Sequence, residues 1–101
     1  MSASIVRHVV VALRSDITKR FPLPILERDL RDLASACAPF LESGTERARD
    51  LARFLLSLGG CAVEQAGRGL WSAAAWDLER AEWAAEALEM QAELEGGAFG
   101  E

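Results

Sequence analysis

The sequence predicts an all-α fold: one compact bundle of about four antiparallel helices, over residues 4–20, 24–42, 45–66 and 70–95. Three observations carry this expectation. Apolar residues recur at three- and four-residue intervals along most of the chain, the mark of helices with one buried face. Proline and glycine fall in short clusters that divide the chain into four segments of helical length. Half of the residues are hydrophobic, enough for one packed core in a single domain of 101 residues.

In the first segment, Ile5, Val9 and Leu13 lie on one line with Val6, Val10 and Ile17 beside it, while Arg7, Arg14 and Thr18 lie opposite. The β-branched run IVRHVVVAL would also suit a strand, which is the competing reading. Phe21-Pro22-Leu23-Pro24 then breaks the chain, because each proline disfavours helix in the residue before it. Pro24 is tolerated in the first turn of the second helix, whose stripe is Leu26, Leu30, Leu33, Ala34, Cys37 and Leu41. Pro39 is expected to kink that helix or end it near Ala38, since its ring meets the carbonyl of Ser35.

Ser43 and Glu46 have the spacing of a capping box, with Thr45 as the competing cap of the third helix. That helix runs through Leu51, Phe54, Leu55, Leu58 and Ala62. Gly59-Gly60 either ends it or lets a neighbouring helix approach closely; the phase of Ala62, Gln65 and Ala66 favours continuity. Gly67-Arg68-Gly69 is the turn. The fourth helix is expected to stop at the Gly96-Gly97 cap, leaving residues 96–101 as a frayed tail.

The fourth helix is the unusual one. Residues 71–95 hold all three tryptophans and seven of the sixteen acids, with Arg80 as the single cation. At 100° per residue it divides into three faces. Leu70, Leu78, Ala81, Ala85, Leu88 and Ala92 share one. Trp76, Trp83, Met90 and Leu94 share a second, and Glu79, Glu82, Glu86, Glu89 and Glu93 the third. An ordinary surface helix has one apolar stripe. A helix with two either sits centrally between two neighbours or carries one stripe for a partner. Tryptophan is an enriched interface anchor and methionine adapts to a partner's shape. A symmetric homodimer is the commonest way to cover such a stripe.

The glutamates repel one another at four-residue spacing, and Glu93 and Glu95 oppose the helix dipole, so local stability does not account for them. They form either a solvated face, partly neutralised by Arg47, Arg49 and Arg53 of helix three, or a docking strip for a basic nucleic-acid-binding protein complex. Residues 1–69 carry a net +2 and residues 70–101 a net −7. That acidic end disfavours direct contact with nucleic acid or an anionic membrane.

No cofactor, metal or catalytic motif is recognisable, and a non-catalytic role is expected. His8 stands alone, and Cys37 and Cys61 have no ligand spacing and read as buried thiols. No run is long and apolar enough for a signal peptide or a membrane span, which favours a cytoplasmic protein with reduced thiols. Leu58-Gly59, Gly69, Trp71, Ala74 and Ala81 follow the order of a tetratricopeptide hairpin, but the interval between the glycines is too long and no second repeat exists. In its small size and acidity the chain is similar to phage-encoded anti-CRISPR proteins. That resemblance implies a stoichiometric inhibitor of a nucleic-acid-binding machine and carries no site residues. The main expectation is a protein–protein interaction module that docks through Trp76, Trp83, Met90 and Leu94.

Overall fold

A computed structural model describes residues 3–95 as four helices: α1 (Ala3–Thr18), α2 (Leu23–Ser43), α3 (Glu46–Gly67) and α4 (Trp71–Leu94). The expected glycine cap and tail at residues 96–101 lie outside the described residues. Each helix packs on two neighbours in the cyclic order α1–α2–α3–α4. Cross-helix pairs fix the antiparallel sense: Gln65 meets Asp77 and Thr45 meets Glu95 between α3 and α4, while Arg7 reaches Glu86 and Arg14 reaches Glu82 between α1 and α4. The bundle measures 41 × 19 × 17 Å.

The buried rows follow a period near 3.5 residues, as packing between two neighbours requires. α1 buries Ala3, Val6, Val10, Leu13 and Ile17; α3 buries Ala48, Ala52, Leu55, Gly59, Ala62 and Ala66; α4 buries Ala74, Leu78, Ala81, Ala85, Leu88 and Ala92. This corrects the expected line of α1. Ile5 is exposed and Val9 half-buried, because a row of four-residue steps drifts around the helix whereas alternating three- and four-residue steps stay against both neighbours. The competing strand reading of this segment is excluded.

α2 corrects a second expectation. It continues through Pro39 to Ser43, and the next residue, Phe40, is the largest of the fully buried side chains. Burial of Phe40 holds the last turn in place. Ser35, whose carbonyl loses its i+4 donor to the proline, is exposed and within reach of water. Ala34, expected on the apolar stripe, is exposed, and Leu30 and Leu41 are half-buried. Ser43 does not cap α3; its hydroxyl donates to the Pro39 carbonyl at 3.1 Å, and the Thr45 hydroxyl accepts from the Ala48 amide at 3.3 Å.

The paired glycines sit inside a continuous α3, and only one of them is a contact. A methyl group at Gly59 would lie 2.9 Å from Leu33 Cδ2 and 3.1 Å from Leu30 Cδ1, so α2 approaches the bare backbone there. Gly60 faces open space. Two turns close alike at one end of the bundle. After α1, Phe21 N–H donates to Asp16 O and Arg20 N–H to Ile17 O, with Arg20 at φ 55°. After α3, Leu70 N–H donates to Gln65 O and Gly69 N–H to Ala66 O, with Gly69 at φ 78°. Both are Schellman closures. Arg20 occupies the left-handed region without a glycine's freedom, and its guanidinium lies 5.8 Å from the Trp71 ring centre.

Candidate interaction surface

With its core row against α1 and α3, α4 turns the opposite side outward. Trp76 is 53% exposed, Trp83 59%, Met90 63% and Leu94 81%. Trp76 and Leu94 are 18 steps apart along the helix, about 27 Å at 1.5 Å per residue. Leu70, expected with the core row, is instead exposed at the N-cap, one residue before the helix packs down. Trp71 behaves differently from the other two indoles and is half-buried against the core.

The apolar strip continues onto α3, while on α1 an exposed apolar residue stands beyond a row of ion pairs. The pairs Gln65–Asp77 and Thr45–Glu95 set Phe54 of α3, 48% exposed, level with Ala87 of α4. Val11 of α1, 47% exposed, lies near the level of Trp83, between the Arg7 and Arg14 crossings. Phe54 was expected inside α3. Its position falls on the α4-facing shoulder, outside the row that the 3.5-residue period buries. Taking about 150–250 Å² for a large buried aromatic, the exposed fractions of Trp76, Trp83, Met90, Leu94 and Phe54 together offer roughly 600 Å² of apolar area. That reaches the upper end of the patches found on soluble monomers, about 300–600 Å², and approaches the ~800 Å² each partner gives to a standard interface.

The carboxylate row lies on the α1 side of this strip. Arg14 binds Glu82, and Arg7 reaches Glu86 at 3.4 Å and Glu89 at 3.8 Å. The neutralising cations therefore come from α1 and not from α3. Arg53 pairs with Asp50 at 3.6 Å, and Arg49 donates to the Gly44 carbonyl at 3.3 Å. The expected pairing fails because Glu82, Glu86 and Glu89 face away from α3, whose side of α4 is taken by Asp77, Ala84 and Gln91. Glu79 and Glu93 form no ion pair among the described residues.

Two buried carboxylates were not anticipated from the sequence. Asp77 accepts from Gln65 Nε2 at 3.2 Å and from Arg80 at 2.8 Å, a satisfied polar link between α3 and α4. Arg80 also lies 6.0 Å from the Trp76 ring centre, so it stiffens the edge of the apolar strip. Asp29 of α2 is buried beside Asp16 of α1. Burial, then the hydrogen bond and charge of Asp16, push its carboxyl up to about 7, against the opposing pull of Arg28 at 3.7 Å. An aspartate in a helix of mixed composition has no sequence mark that separates a buried one from a solvated one.

Cys37 is buried and burial raises its thiol to about 11, whereas Cys61, expected to be buried, is exposed on α3; both are free. His8 is exposed, with Nδ1 at 2.8 Å from the Ser4 carbonyl oxygen. Among the described residues no group of three or more His, Cys, Asp or Glu is placed to hold a metal ion, and no helix is long and apolar enough to cross a membrane. The chain matches no protein-family model, no curated protein and no solved structure.

Proposed function

We propose that this protein is a non-catalytic interaction module that docks on another protein chain through the outward face of α4, with Trp76, Trp83 and Met90 as anchors and Leu94 at the end of the row. The observation that carries the reading is the exposure of both indoles on a helix whose core row is already filled by other residues. A hydrated indole gives the protomer little stability. The same indole enclosed by a partner is among the strongest anchors an interface can have. The strip is bounded by charge on one side and by Phe54 on the other, the pattern of an apolar centre with a polar rim.

The alternative, an acidic strip that competes with a phosphate backbone for an arginine-lined groove, has less behind it. Arg7 and Arg14 already engage Glu82, Glu86 and Glu89, so a basic partner would have to displace them.

The test is the double variant Trp76→Ala/Trp83→Ala, followed by far-UV circular dichroism and urea unfolding extrapolated to infinite dilution. The docking reading expects native helicity and a stability within about 1 kcal/mol of the parent chain. A loss of about 3–5 kcal/mol for each indole would assign both to the core and end the proposal.

A further inference from the structure

We infer that the occupant of this face is a second copy of the same chain, packed α4 on α4 in parallel about a two-fold axis running along the helices. The inference rests on the docking reading above and adds the partner and its orientation. Three observations carry it: the seven-residue spacing of the anchors, the row of glutamates on the α1 flank of α4, and the exposed apolar residues Phe54 of α3 and Val11 of α1.

The strip reads as a heptad seam. Trp76, Trp83 and Met90 take one core position, and Ala73, Arg80, Ala87 and Leu94 take the other, four residues on. Glu79, Glu86 and Glu93 then form one flank and Asp77, Ala84 and Gln91 the other. An antiparallel pair would set like flanks together and align six glutamates across the interface. A parallel pair sets unlike sides together, so that the glutamates of one copy face the α3 side of the other, where Asp77 and Ala84 are buried and Phe54 is exposed. Charge therefore selects the parallel arrangement. Arg80 meets its own mate across the axis, but Asp77 holds its guanidinium at 2.8 Å in each chain. A single polar residue at a core position fixes register and favours two chains over more.

The neighbouring helices fit the same geometry. A parallel two-fold brings α3 of one chain beside α1 of the other, which sets Phe54 against Val11 of the second copy about one helical turn away in level. The roughly 600 Å² of apolar area per chain already includes Phe54, and with Val11 added it approaches the ~800 Å² that each partner gives to a standard interface.

Light scattering behind gel filtration and a cysteine cross-link test both parts, in a Cys61→Ser background that removes the exposed native thiol. The expected mass is about twice 11.0 kDa for the parent chain and about 11.0 kDa for a folded Trp83→Glu variant. Leu94→Cys should oxidise to a covalent dimer, because a parallel seam brings residue 94 to its own mate. An antiparallel seam would part those residues by roughly 25 Å and leave the variant uncross-linked, overturning the orientation. A parent chain of 11.0 kDa at every concentration, with Trp76→Ala/Trp83→Ala retaining full stability, would overturn the second copy and leave the docking face intact. The same mass with large stability losses on alanine substitution would overturn both. A dimer that survives Trp83→Glu would place the contact on another face and overturn the inference.

Discussion

Replacing Gly59 and Gly60 one at a time by alanine separates helix propensity from helix contact, because the two positions share a helix and differ in what a methyl group meets. Each substitution gains about 0.8–1 kcal/mol from the lower backbone entropy of alanine. At Gly60 nothing lies within 4 Å of the new methyl, so that gain is the whole effect. At Gly59 the methyl arrives 2.9 Å from Leu33 Cδ2 and 3.1 Å from Leu30 Cδ1. Leu33 is fully buried, so its methyl can give way only against a close-packed core. Overpacking of this kind costs about 1–3 kcal/mol, which also becomes the expected difference between the two variants, since the propensity gain cancels. Thermal unfolding should place Gly60→Ala a few degrees above the parent chain. Gly59→Ala should fall below Gly60→Ala by about 4–24 °C, at 4–8 °C per kcal/mol for a domain of this size. Equal stabilisation by both substitutions would mean that α2 does not touch the α3 backbone at Gly59, and the account of the continuous α3 would be wrong.

Two further expectations concern the core. Asp29 is pushed up to about 7 in the folded chain and titrates near 3.9 when unfolded. Its contribution to stability is therefore fully present below about pH 4 and is lost as the pH rises towards 7. Asp29→Asn removes that dependence, so urea unfolding of variant and parent should diverge between pH 4 and 7, with the variant the more stable at pH 8 by at most about 4 kcal/mol; parallel pH profiles would show that Asp29 is not held protonated. Phe40→Ala should cost about 3–5 kcal/mol in chemical denaturation, and a loss under 1 kcal/mol would mean that the turn after Pro39 is not anchored by that ring.

The helical class and the four segments were legible because apolar spacing and the Pro and Gly clusters agree along the chain. What was not legible came from tertiary competition. The periodicity of α1 admits two neighbouring rows, and only contact with two other helices selects Val6, Val10 and Ile17 over Ile5 and Val9, with Leu13 buried under either. Pro39 reads locally as a terminator, and burial of Phe40 overrides it. The rows of α4 could be separated by angle alone, yet which carboxylates meet which arginines depended on the order of helices around the ring, which no single segment encodes. Phe54 was assigned inward by its spacing with Leu51, Leu55 and Leu58, and Cys61 because it lies near an apolar stripe and a buried thiol is the default. Their places on the α4-facing shoulder of α3 leave them in solvent.

Fluorescence of a Trp71→Phe variant tests the central claim most directly, since it leaves only the two indoles on the outer face of α4. On dilution, association through this face predicts a shift from blue to red emission with a concentration midpoint, and the blue form should be missing from the same variant carrying Met90→Glu. Blue emission that persists at every dilution in a monomeric chain would place Trp76 and Trp83 inside the protomer and contradict the account.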